Sequence, residues 1–135
     1  MYWEECLDEH IVESEKAPGH VRKLHHQSKN ALHTAEKIAA TKRTARSKAL
    51  LAYDAVREIL EALAHQEGYV VHNHECYRAF LQEIIGASDV ANVFDELRRQ
   101  RNQLEYDATS IAQDQANDFV ERASTVHAKI QYFLD

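Results

Sequence analysis

The chain has 135 residues, room for one domain and short for two. Three glycines and one proline are too few for a sandwich or barrel with a tight turn after every short strand, while 44% hydrophobic and 28% charged residues suit a globular core rather than a disordered tail. The net charge of −6 conceals an asymmetry, since residues 1–15 sum to −6, residues 16–48 to +8 and the remainder to −8, so a basic patch can attract a polyanion although the whole molecule is acidic.

The first apolar stripe, Trp3, Cys6, Leu7 and Ile11, outlines a short helix that Pro18 and Gly19 are expected to end. Leu24, Ala31, Leu32, Ala35 and Ile38 outline a second, weakly apolar helix, followed by the basic stretch over residues 41–48. This stretch can either face a polyanion or pack against the acidic N-terminal segment. Leu50, Tyr53, Val56, Leu60 and Leu63 recur at threes and fours as a third helix, which Gly68 stops. Tyr77, Phe80, Leu81, Ile84 and Ile85 give a fourth, closed by Gly86. A fifth follows from a cap at Ser88 or Asp89 through Val90, Val93, Phe94, Leu97 and Leu104. The last begins at a capping box over residues 110–113 and runs through Phe119, Ala123, Val126, Ile130 and Phe133. The pattern predicts one all-α domain over residues 1–135, an up-and-down antiparallel bundle of about five helices with an extra short N-terminal helix. No apolar run approaches the roughly 18 residues that cross a bilayer. Residues 1–5 are acidic where a secretory signal is basic, and Cys6 and Cys76 are expected as free thiols in a reducing cytoplasm.

One position breaks the pattern of the fifth helix. Its apolar stripe passes from Val90 through Phe94 and Leu97 to position 101, which is Arg. A guanidinium keeps its proton, so seating it near a core or interface costs several kcal/mol, on the order of a buried-ion penalty, unless an anion or several acceptors meet it. Arg98 and Arg99 stand beside it. These cations either pair with nearby acids, Arg101 with Glu105 one turn on, or form a phosphate-binding cluster. A chain break at residues 107–109 would bring the N-terminal end of the last helix, with its orphan N–H groups, close to the same cations.

Leu50 to Arg57 in sequence, Glu61-Ala62-Leu63 with Gly68, the His74-Glu75 helix start and Arg101-Asn102 ahead of a long final helix resemble a HEPN domain over roughly residues 30–135. The run from Arg98 to Asp107 is the most specific part, similar to the family's motif of Arg, a polar residue and a later His, with Asn102 in the polar place. The resemblance implies a five-helix bundle that dimerises with two motifs across a shared cleft. It also implies RNA or a nucleotide as ligand, and in many members metal-independent ribonuclease activity within toxin–antitoxin or phage-defence systems, with a nucleotidyltransferase antitoxin as partner. In that chemistry a ribose 2′-hydroxyl attacks the adjacent phosphate; Arg101 would neutralise the phosphoryl charge, Asn102 would orient the phosphate or nucleophile, and the motif His would move protons. Here the position five after Arg101 is Tyr106, whose ordinary pKa near about 10 makes it a proton donor and a poor base. Counted from Arg99, the His place falls on Leu104, and Tyr106 becomes the tyrosine that some antitoxins adenylylate. The expected site is therefore Arg101, Asn102 and Tyr106 for catalysis, with Arg98, Arg99, Lys42, Arg43 and Arg46 binding nucleic acid. The alternatives are a non-catalytic module for nucleotide or nucleic acid and a protein-interaction subunit whose cleft another chain closes.

No cofactor is implied, and no metal is expected. Neither His72, His74, Glu75 and Cys76 nor His25, His26 and His33 has the paired spacing of a zinc site, and no nucleophile elbow or phosphate loop is present. Tyr53 and Tyr77 lie on apolar stripes and read as core.

Overall fold

A computed structural model describes residues 1–106 and 110–135. In chain order its elements are helix α1 (Trp3–Glu9), strand β1 (Ile11–Glu13), helix α2 (Pro18–Lys37), helix α3 (Ala45–Gln66), strand β2 (Tyr69–Val71), helix α4 (Cys76–Ala79) continued by a π-helical segment over Phe80–Ile85, helix α5 (Ser88–Tyr106) and helix α6 (Gln113–Gln131). The chain is mostly helical, as expected, with one small antiparallel sheet that the all-α expectation lacked.

That sheet pairs Ile11 with Val71, Val12 with Val70 and Glu13 with Tyr69. Apart from Glu13, both strands are built of β-branched and aromatic residues, but each spans three positions, too few for alternation to show against the helical pattern around them. Gly68 takes φ +92°, a left-handed conformation that turns the chain out of α3, and its carbonyl accepts the Ser14 N–H at 2.9 Å to extend the ladder. Pro18 does not end the first helix; it is the first residue of α2. Its missing N–H would be unsatisfied there in any residue, and its fixed φ suits a helix start. The last helix begins two residues later than the capping pattern over residues 110–113 indicates. Ala112 stands at the N-cap, and its own N–H donates to Gln115 Oε1 at 3.0 Å.

The cysteines are likewise not free thiols. Cys6 and Cys76 form a disulfide that ties α1 to the start of α4. The Trp3 N–H donates to Glu83 Oε2 at 2.8 Å, and the Trp3 ring meets the Tyr69 ring edge-on at 5.1 Å. The N-terminal segment thus docks on β2 and the α4 region, and not on the basic stretch.

Helix α3 is the central element. It buries residues on several sides, and many are alanines (Ala45, Ala49, Ala52, Ala55, Ala62 and Ala64) that let neighbouring backbones approach. Residue pairs fix the directions. Lys48 at the start of α3 donates to the Ile38 carbonyl just past the end of α2, while His20 and His65 meet at the opposite end, so α2 and α3 are antiparallel. Arg46 reaches the Leu104 carbonyl and Arg101 overlies Tyr53, so α3 and α5 are antiparallel. Arg122 contacts Gln100, and Lys129 pairs with Asp89, which runs α5 and α6 antiparallel. One buried cluster extends from Trp3 and Cys6 through Tyr53, Phe80, Phe94 and Phe119 to Ile130. Gly86, at φ +82°, ends the α4 region; its own N–H and that of Ala87 both return to the Leu81 carbonyl, a closure that starts α5 in its new direction.

Candidate functional site

The arginine-rich part of α5 divides between two faces of one unbroken helix. On the first face Asp95 is buried, an unusual place for a carboxylate, and it gathers three guanidiniums. Arg98 donates to it at 3.0 Å, Arg99 lies at 2.6 Å and Arg78 reaches across from α4 at 3.5 Å while also donating to Asn92 at 3.1 Å. A buried carboxylate is tolerated only with such partners. Three positive charges around one negative charge leave an excess of two, which pairing within the group cannot cancel.

Arg101 is on the second face. The expected pairing with Glu105 does not form, and among the described residues Arg101 has no carboxylate partner. Its guanidinium carbon lies 5.4 Å from the centroid of the Tyr53 ring, a cation–π arrangement across the α3–α5 contact. Its Nη1 donates to Asn102 Oδ1 at 3.3 Å. That bond occupies the acceptor end of the Asn102 amide and leaves its NH₂ as a donor. Both residues are half-buried. A guanidinium with most of its five N–H groups uncommitted, beside an amide with two more, is a donor set that matches phosphate or carboxylate oxygens.

Beneath Arg101 lies a group that the apolar pattern placed in the core. The Tyr53 hydroxyl and His74 Nδ1 are 3.2 Å apart, with His74 half-buried just ahead of α4. Burial pushes the Tyr53 pKa up to about 12 in spite of the opposing pull of Arg101, Arg98 and Arg57. Burial also lowers the His74 pKa, and Arg57 and Arg101 lower it further. At neutral pH Tyr53 therefore keeps its proton and His74 is uncharged. The cluster carries no negative charge of its own at the Arg101 guanidinium.

The remaining expected residues are distributed as follows. Tyr106 is the final residue of α5 and is 79% exposed. Five residues along an unbroken helix turn it about 140° from Arg101, so within one chain the two side chains leave on different faces. Arg46 Nε donates to the Leu104 carbonyl at 3.3 Å. This joins the first turn of α3, where the basic stretch continues, to the last turns of α5, with a cation at the negative end of that helix. Lys42 and Arg43 are exposed, and Lys42 borders a surface hollow with Ala112, Gln113 and Asp114.

The chain break expected at residues 107–109 lies outside the described residues. The groove between α5 and the start of α6, about 470 Å³, is lined by Gln100, Gln103 and Leu104 on one side and Asp114, Gln115 and Asp118 on the other. Arg98, Arg99 and Arg101 do not line it, and although Arg122 does, the two carboxylates outnumber it and disfavour an anion. Among the described residues, none of Arg98, Arg99 and Arg101 shares that groove with the N-terminus of α6. Cys76 is committed to the disulfide and offers no thiolate to a metal.

The sequence reading did not include Asp95 or the Tyr53–His74 pair in the site. A signal existed for Asp95, which stands next to Phe94 on the stripe that contains Leu97. None existed for the pair, because the segment from Gly68 to Cys76 has no helical period to orient His74. Comparison with known protein families, with curated proteins and with solved structures finds no match for this chain.

Proposed function

We propose that this chain is a HEPN-like RNA-binding protein that takes an RNA phosphate on the face of α5 occupied by Arg101 and Asn102. One observation carries the reading. Arg101 is a half-buried guanidinium held over Tyr53, with an amide as its hydrogen-bond partner and no carboxylate partner among the described residues. Such a charge is costly to hold near a core without a counter-ion, and phosphate supplies one. The excess positive charge around Asp95 and the cations at Arg46, Arg43 and Lys42 extend the attraction along the backbone of a nucleic acid. An up-and-down HEPN-like arrangement and a homodimer with the two α5 faces across a cleft belong to the same proposal.

Metal-independent RNA cleavage, in a toxin or phage-defence setting, is the catalytic form of this reading. It needs a group that moves protons close to the phosphate. Within one chain that group is His74, which shares Tyr53 with Arg101, whereas Tyr106 serves only from a second subunit. His74 acts as a base through Nε2 when its Nδ1–H donates to the Tyr53 oxygen. The test is labelled single-stranded RNA with purified protein in EDTA. Binding lost in Arg101→Ala supports the phosphate site. Cleavage lost in His74→Gln but kept in Tyr106→Phe assigns the proton transfer to His74, and the reverse assigns it to Tyr106 across a dimer. Binding without cleavage by the wild type identifies a non-catalytic module. No binding to RNA or to a mononucleotide refutes the proposal and favours a cleft closed by a protein partner such as a nucleotidyltransferase.

A further inference from the structure

The antiparallel contact of α2 with α3 brings a third histidine group together, one that neither sequence cluster contains. Glu61 and His65 are four residues apart on α3 and therefore lie on one face, one above the other. His20 stands in the first turn of α2, at the end of that helix that packs beside the last turn of α3. The His20 and His65 rings meet edge to face with centroids 4.7 Å apart. One ligand atom from each of His20, Glu61 and His65 can be chosen so that all three lie within 4.8 Å of one another. We propose that His20, Glu61 and His65 form a binding site for a divalent transition-metal ion, with zinc as the best fit.

The donor chemistry selects the class of ion. Two imidazoles and one carboxylate suit zinc and its neighbours and are poor for magnesium or calcium, which take oxygen ligands. With bonds of roughly 2.0–2.2 Å, tetrahedral ligand atoms sit about 3.4 Å apart. The present spacing, within 4.8 Å, exceeds that value by at most about 1.4 Å, a distance on the scale of side-chain rotation. His20 is exposed and the other two are half-buried, so an ion has open access. Arg57 donates to Glu61 Oε2 at 3.4 Å, which orients the carboxylate and leaves its other oxygen for the ion. Three protein ligands leave a coordination position for water.

This site is separate from Arg101. Tyr53 and His65 are twelve residues apart on α3, about 18 Å along the helix axis, beyond the reach of a single phosphate. Zinc here therefore does not conflict with RNA cleavage in EDTA, and it links the start of α2 to the end of α3.

The experiment is a titration of the full chain with zinc ion against a competing chromogenic chelator, in the wild type and in His20→Ala, His65→Ala and Glu61→Gln. His33→Ala, an exposed histidine elsewhere on α2, is the control. The expected result is one zinc per chain, with affinity lower by at least about tenfold in each ligand variant, since loss of even an outer-sphere partner commonly costs that much, and unchanged in the control. Circular dichroism of each variant reports its helix content, and a rise in thermal midpoint with zinc that disappears in His65→Ala gives a second readout. The proposal is overturned if saturable binding is absent, if His20→Ala and His65→Ala bind as the wild type does, or if the control loses affinity equally.

Discussion

His127 provides the sharpest physical test of how α2 and α6 pack. It is buried, at 3% exposure, with Nε2 3.0 Å from Ser28 Oγ. The Ser28 hydroxyl donates its one proton to the His25 carbonyl at 2.8 Å, so His127 must donate from Nε2 and keep Nδ1 unprotonated. Desolvation lowers its pKa to about 4, and the nearby His25 and Lys29 add to the effect. The unfolded chain has the ordinary value near about 6.5, so between the two values the unfolded state binds the extra proton. This contribution to stability is complete above the unfolded value, declines as pH falls through it and levels off near the folded value. The full difference of roughly 2.5 units corresponds to about 3 kcal/mol, of which about 2 kcal/mol is lost on going from about pH 7.5 to about pH 5. His127→Gln removes the titration and retains a donor for Ser28. Urea unfolding followed by circular dichroism should show the stability advantage of the wild type over this variant shrinking by that amount across the interval. An advantage that stays constant with pH would refute the reasoning.

Other perturbations have comparably defined outcomes. Replacing Cys6 and Cys76 by Ser opens a link between positions 70 residues apart, which in the chain-entropy account is worth about 4 kcal/mol; urea midpoints of this variant and of dithiothreitol-treated wild type should fall together, and equal midpoints with and without reductant would contradict it. Asp95→Ala takes the carboxylate from Arg98, the least exposed of its three partners, while Arg78 and Arg99 reach solvent, and should cost about 1–3 kcal/mol in urea unfolding, more than Glu105→Ala on the exposed side of the same helix. Arg101→Met should change stability by less than about 2 kcal/mol, the range of one cation–π contact, if the arginine serves a ligand rather than the fold, as proposed; a larger loss on denaturant titration would make it a structural residue.

The helical elements were legible because long apolar stripes at threes and fours have few alternative explanations. Leu50 through Leu63 marked the body of α3, and Gly68 and Gly86 marked the turns that their left-handed φ values require. The three-residue strands were not legible, since Ile11 continues the spacing of α1 as readily as it starts β1. Pro18 after an apolar stripe signals a stop, yet its chemistry serves equally as a start. Two cysteines 70 residues apart have no sequence feature that brings them together. Of the site, the anomaly at Arg101 was visible as a charge on an apolar stripe, and it is indeed half-buried against Tyr53. The direction of its neighbours was not visible. Arg98 and Arg99 turn to Asp95, Tyr106 turns outward, and His74 reaches Tyr53 from a segment without periodicity. The spacing of Glu61 and His65 could be seen, but His20 joins them only through the antiparallel return of α3 along α2.

The central claim is that Arg101 meets a phosphate. Its most direct test is the salt dependence of binding to a labelled single-stranded RNA, measured by fluorescence anisotropy for the wild type and Arg101→Met. Loss of one phosphate contact should weaken binding at every salt concentration and reduce the slope of log affinity against log salt by roughly 0.7, the value for one contact on a single strand. Identical affinity and identical slope in the two proteins would contradict the account.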